Sequence, residues 1–318
     1  MPTHSISSIS GRSRLRKYLL PFAAAVCVYI LCCCIAGIFV AENTLHPGRE
    51  PEISAAETSD WINEDGATLS PVNISAANKI SLYAWIVKPA NANGDTVLVL
   101  HGMGGDRTEM EDYADMFLRH GFSVLMPDAR AHGKSGGELA TYGLLERDDV
   151  RYWVEWLLSR EPSGCVYGFG ESMGAAQLLQ SLKTGPRFCA VAAESSFSTF
   201  REVAYDRMGQ RLHTGPWLGR TFLWPVVESA FVFVRLRYGF DMDLVSPEEA
   251  VAASHVPVLL IHGEADANIP IRHSHAIAAR NSTVVLWEVP NTGHSGAIGT
   301  SPKEFEMRVI GWFSSHRR

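Results

Sequence analysis

The sequence predicts an α/β protein: a mostly parallel central sheet with helices on both faces, preceded by one amino-terminal membrane helix. Three observations carry that reading. Short continuous apolar runs alternate with stretches of helical spacing from residue 79 onward, the pattern of strands buried on both faces. Residues 197–253 break this rhythm, being far longer than the single helix that would join two neighbouring strands. Residues 19–40 form a run of 22 without a charge.

That uncharged run is long enough to cross a bilayer, since a helix rising about 1.5 Å per residue needs roughly 20 apolar residues. A buried core helix would show a polar face, and here only Tyr29 and the cysteines Cys27, Cys32, Cys33 and Cys34 interrupt. A cleaved signal peptide has an apolar region of about 7–15 residues ending in small residues. This run is longer and leaves through Phe39-Val40-Ala41, so an uncleaved anchor is expected. Arg12, Arg14, Arg16 and Lys17 precede it and Glu42 comes after it. Basic flanks stay in the cytoplasm, so the amino terminus is expected there. The rest of the chain would then lie outside it, in the periplasm if the source is bacterial. Residues 42–70 are polar and irregular and read as a linker.

Beyond the linker, strands are expected at 79–87, 96–100, 123–126, 165–169, 190–193, 256–261 and 284–289. Helices are expected at 108–119, 145–158, 177–182, 271–280 and 302–314. No internal repeat is visible. The long interval 197–253 reads as a cap over the carboxyl ends of the strands. Its Trp217, Phe222, Trp224, Phe231, Phe233, Tyr238 and Phe240 are expected to form the cap's own core rather than an acyl-binding pocket. Cys165 and Cys189 read as two small buried residues; an oxidising compartment would permit a disulfide between them without otherwise calling for it.

Two Gly-x-Ser-x-Gly matches occur, and context separates them. Gly133-Lys134-Ser135-Gly136-Gly137 lies in a polar loop. Gly170-Glu171-Ser172-Met173-Gly174 succeeds an apolar strand and opens onto Ala175-Ala176-Gln177-Leu178-Leu179. A serine on a tight strand-to-helix turn is held in a strained conformation, and its neighbours two residues away must lack bulk. Gly170 and Gly174 meet that need, so Ser172 is the candidate nucleophile.

A serine hydroxyl needs a base, and the base an orienting acid. His294, in Asn291-Thr292-Gly293-His294-Ser295-Gly296, comes after the last expected strand at the carboxyl edge of the sheet, where open α/β sheets place ligands. His273 and His275 fall on an expected helix and His316 at the terminus. Asp266 comes after the strand 256–261 and precedes His294 by one helix and one strand, with Glu264 as its local competitor. The N–H groups of Met173 and of Met103, the latter in His101-Gly102-Met103-Gly104-Gly105, are the expected donors to a tetrahedral oxyanion. Asp128 and Arg130, after the strand 123–126, are expected to brace their loop.

With these residues in place the chain resembles the α/β-hydrolase superfamily over residues 79–313. It is most similar to membrane-anchored members near the serine-aminopeptidase and prolyl-oligopeptidase-like branch. The matching pieces are His101-Gly102-Met103-Gly104, Asp128-x-Arg130-x-x-Gly133-x-Ser135, Gly170-x-Ser172-x-Gly174, Gly263-x-x-Asp266 and Gly293-His294. The resemblance implies an α/β-hydrolase fold with Ser172 as nucleophile, Asp266 as acid, His294 as base and Met103 and Met173 as oxyanion donors. Glu171 departs from a position often held by histidine or aspartate. Substrate is not specified by these motifs, which esterases, lipases, thioesterases and peptidases share.

The chain would thus comprise a cytoplasmic basic tail (1–18), an anchor (19–41), the linker (42–70) and a hydrolase domain (71–318) with its cap at about 197–253. Of its 318 residues 46% are hydrophobic, which excludes intrinsic disorder. Beyond residue 41 there remain 24 bases against 34 acids, and such an acidic body lacks the basic stripe of a nucleic-acid binder. No cysteine or histidine cluster has metal-ligand spacing, so no cofactor is expected. The expected activity is cleavage of carboxylic esters through an acyl-enzyme. The alternatives are a peptidase or thioesterase with the same triad, or a catalytically silent membrane module. In the peptidase case Glu171, Glu194 or Asp241 could capture a substrate's amino terminus.

Overall fold

Successive residues of a strand face opposite sides of a sheet, and the buried run Thr96–Leu100 divides its side chains accordingly. Val97 and Val99 join one apolar core, with Tyr113, Phe117, Phe169, Phe305 and Phe313. Leu98 and Leu100 join the other, with Trp153, Leu178, Phe188 and Ile277. Strands apolar on both faces therefore end up between two helical layers. The computed structural model describes residues 10–49, 66–161 and 164–318.

Eight strands form one sheet: β1 (Thr68–Ser75), β2 (Ser81–Lys88), β3 (Thr96–Leu100), β4 (Ser123–Pro127), β5 (Val166–Glu171), β6 (Val191–Glu194), β7 (Val258–Gly263) and β8 (Val285–Val289). Their order is β1-β2-β4-β3-β5-β6-β7-β8. β2 pairs antiparallel with both β1 and β4, and the remaining pairs are parallel. The chain begins with α1 (Ser10–Leu45); α2 (Glu111–Arg119), α3 (Glu146–Arg160) and α4 (Ser172–Ser181) lie among the strands. Between β6 and β7 are α5 (Phe200–Arg211), α6 (Pro216–Arg220), α7 (Trp224–Tyr238) and α8 (Pro247–Ala252). α9 (Arg272–Ala278), α10 (Ala297–Thr300) and α11 (Pro302–Ser315) complete the chain.

The structure departs from the sequence reading in four places. First, β1 occupies ground read in part as linker. Its alternation breaks at Ser70-Pro71, and proline is tolerated only because β1 is an edge strand. Second, the segment after the apolar run is not free chain. α1 continues to Leu45, whose carbonyl accepts from Ala140 N–H at 2.9 Å. The Arg49 guanidinium then donates to the carbonyls of His132 (3.2 Å), Ser135 (2.8 Å) and Gly137 (3.0 Å). Residues 50–65 of the expected linker and 1–9 of the expected tail lie outside the described residues.

Third, Cys165 and Cys189 are joined in a disulfide, because β5 and β6 are neighbours and bring the two thiols together at their amino ends. Fourth, the cap aromatics divide. Phe233, Tyr238 and Phe240 pack against the cap's apolar cluster, while Phe231 lines the cavity above Ser172. Trp217, Phe222 and Trp224 instead point outward, at least half exposed. α1 itself is long and apolar enough to span a membrane, with most side chains in its apolar stretch uncovered.

Candidate active site

β5 ends at Glu171 and α4 begins at Ser172 with no intervening loop, so the chain must reverse within one residue. Ser172 takes a left-handed backbone, φ +50°, a conformation that costs a non-glycine residue roughly 1–3 kcal/mol. Glycine is required on both sides. A Cβ on Gly170 would stand 2.7 Å from the Gly174 carbonyl carbon, and one on Gly174 only 2.3 Å from the Leu100 carbonyl oxygen. The corner therefore lifts the Ser172 hydroxyl above the sheet and leaves the first N–H groups of α4 without intrahelical partners.

Three loops at the carboxyl ends of β5, β7 and β8 meet there. The Ser172 hydroxyl donates to His294 Nε2 at 2.8 Å, and His294 Nδ1–H donates to Asp266 Oδ2, also at 2.8 Å. This pair of contacts sets the imidazole tautomer, with the proton on Nδ1. Asp266 is buried, whereas Glu264 faces solvent. Burial would raise the Asp266 carboxyl. Hydrogen bonds from His262, His294 and the Ile269 N–H outweigh that and hold it well below the usual carboxylate range. His262 was not singled out by sequence reasoning. It is fully buried, donates to the Ile269 carbonyl at 2.7 Å, and its Nε2 also lies 3.4 Å from Asp266 Oδ2. Its position at the end of β7, four residues before Asp266, was the available signal.

Met103 and Met173 both line the cavity beside Ser172. Two histidines hold the Met103 loop. His101 Nε2 accepts from Ala129 N–H (3.0 Å) and His101 Nδ1–H donates to the Gly102 carbonyl (2.7 Å). His132 Nε2 accepts from Gly104 N–H at 3.4 Å. Burial, with His132 close by, lowers His101 to about 4, so it stays neutral at pH 7 and keeps its acceptor.

The other candidates are elsewhere. Ser135 of the second Gly-x-Ser-x-Gly match is buried, donating to the Asp128 carbonyl (2.8 Å) and accepting from Tyr83 N–H (2.9 Å). Asp128 pairs with Arg107, and Arg130 with Asp149, each at 2.6 Å, so both brace the loop. His273 bonds Asp206, His275 bonds Glu288, and His316 packs on Trp312. Glu171 and Glu194 share the Tyr113 hydroxyl, and Asp241 pairs with Arg235; none of the three lines the cavity. Among the described residues no cluster of histidine, cysteine and carboxylate side chains could hold a metal ion.

The cavity above Ser172 has a volume of ≈ 500 Å³. Its walls are mainly apolar: Phe197, Phe200 and Val203 near the start of α5, Val227 and Phe231 from α7. Arg207 and Arg211 stand at one side.

A strand-to-helix corner of this kind, on this sheet, defines a class. A sequence model of the alpha/beta hydrolase family matches residues 97–307, and the chain belongs to that family. It is 32% identical to the uncharacterized protein YqkD of Bacillus subtilis over 179 residues, 56% of this chain and 57% of that one. The chain thus spans little more than half the length of that relative. It is 25% identical to the uncharacterized protein YfhR of Escherichia coli over 289 residues, covering 87% and 86% of the two chains. Among solved structures it resembles an esterase of Pyrococcus furiosus, with a TM-score of 0.68, 24% identity and coverage of 86% and 98%. That likeness is one of fold.

Proposed function

We propose that the protein is a membrane-anchored serine hydrolase that cleaves carboxylic esters through an acyl-enzyme. One observation carries the reading: a strained serine at the floor of an apolar cavity, hydrogen-bonded in series to His294 and Asp266. Ser172 Oγ attacks the ester carbonyl while His294 Nε2 takes its proton. Asp266 stabilises the imidazolium, and the N–H groups of Met103 and Met173 receive the oxyanion. His294 then protonates the departing alcohol. Water, activated by the same imidazole, releases the acid.

Ester cleavage is favoured over capture of a peptide amino terminus because none of Glu171, Glu194 and Asp241 borders the cavity. The esterase fold neighbour is consistent with this. α1 would hold the domain to the membrane with the basic amino terminus in the cytoplasm. The Cys165–Cys189 disulfide supports an oxidising compartment for the remainder. The acidic body disfavours nucleic acid, and the proposed partners are a small acyl substrate and the bilayer.

A fluorophosphonate probe should label the detergent-solubilised wild type and leave Ser172→Ala unlabelled. Hydrolysis of 4-nitrophenyl acetate should fall by at least 10³-fold in that variant. Equal labelling of both proteins would refute the assignment.

A further inference from the structure

α1 is more than a tether: its exit end is a wall of the cavity. Val40, Ala41, Thr44 and Leu45 line the space above Ser172, facing Val227 and Phe231 of α7. The two helices run side by side in the same direction. The rings of Tyr29 and Phe222 are 5.6 Å apart, Ser229 Oγ donates to the Cys33 carbonyl (3.1 Å), and the Tyr238 hydroxyl donates to Glu42 (2.8 Å). Gly37 makes this approach possible, since a Cβ there would lie 2.0 Å from Ser229 Oγ.

These contacts set the depth of the cap. Tyr29 lies about 17 Å along the helix axis from Val40, where the apolar run leaves the membrane, at about 1.5 Å per residue. The hydrocarbon core is about 30 Å thick, so a spanning α1 carries Phe222 to about its midplane. The cap is built for that position. Trp217, Phe222 and Trp224 are exposed at its deep corner, and Val232 and Leu236 along α7. Two of its arginines are paired with cap carboxylates, Arg220 with Glu202 and Arg201 with Glu228. The exposed Arg235 and Arg237 come only at the end of α7, level with Glu42 and the expected lipid headgroups.

We infer that the cap is seated in the bilayer against α1 and that the cavity takes its substrate from the lipid phase: the long-chain acyl ester of a membrane lipid. The acyl chain enters between α1 and α7 and reaches Ser172 without crossing water. This rests on the serine-hydrolase reading and on α1 spanning the membrane.

The test uses the full chain in phosphatidylcholine vesicles. Brominated phosphatidylcholine quenches tryptophan only where it contacts lipid. Quenching is expected in the wild type and largely absent from Trp217→Phe/Trp224→Phe. Trp217→Glu/Trp224→Glu should cut hydrolysis of 1-oleoylglycerol held in the vesicles at least tenfold, with 4-nitrophenyl acetate within about twofold of wild type. The retained short-ester activity shows that the variant folds. Equal quenching of wild type and the phenylalanine variant overturns the inference even if Ser172 labels normally. So does a proportional fall on both esters, or no fall on the lipid. Failure of Ser172 to label discards the hydrolase reading on which the substrate rests, even where quenching is seen.

Discussion

Glu194 shows how a side chain outside the candidate triad shapes the site. It lies at the end of β6, fully buried, accepting from Ala297 N–H at 2.9 Å and from the Tyr113 hydroxyl at 3.2 Å. Burial pushes its carboxyl up to about 7, and the neighbouring Glu171 carboxylate adds to the rise. The folded protein therefore keeps a proton that the unfolded chain, with an ordinary value of 4.5, releases earlier. Stability from this group is complete below pH 4.5 and is lost as pH rises through about 7. Glu194→Gln keeps the Ala297 N–H bond through its amide oxygen, reverses the other so that its amide N–H donates to the Tyr113 hydroxyl, and carries no charge. Chemical denaturation in detergent should find it more stable than wild type at pH 8, by about 3 kcal/mol at most, and equal to it near pH 4.5. Parallel pH profiles for the two proteins would count against a shifted Glu194.

The β5–α4 corner was legible because its demands are local. Gly170, Ser172 and Gly174 are close in sequence, and the strand and helix around them are marked by apolar pattern. The same motif at Gly133–Gly137 lacks that frame, and its serine is consumed by backbone hydrogen bonds. The corner also yields a prediction. In Gly174→Ala the new Cβ would meet the backbone carbonyls of Leu100 (2.3 Å) and His101 (2.6 Å), which cannot step aside singly. Destabilisation on the order of 3 kcal/mol, a fall of about 10 °C in Tm, should appear in thermal unfolding. An unchanged Tm would mean the corner is looser than drawn. β1 illustrates the opposite case: an edge strand whose alternation breaks at Ser70-Pro71, it exists because β2 offers it a partner, and nothing in its own residues demands a sheet.

For the molecule as a whole, the disulfide joins the amino-terminal ends of β5 and β6, 24 residues apart. Closing a loop of that size in the unfolded chain is worth about 3 kcal/mol. Cys165→Ala/Cys189→Ala should lose roughly that much, and reductant should destabilise the wild type but not the variant. Insensitivity of the wild type to reductant would place these cysteines in the thiol form, and would remove one support for an extracytoplasmic domain.

Residues close in sequence and patterned by burial announced themselves: the alternation of strands and helices, the uncharged run and the serine corner. Their signals arise from local backbone geometry and from the solvent each segment meets. Contacts between distant segments left no such mark. His262 behind Asp266, the pairing of Cys165 with Cys189, and α1 forming a wall of the cavity with α7 each join elements whose proximity is settled by sheet order and helix packing. A single chain carries no periodicity that records those distances, so they emerged only when the strands and helices were set side by side.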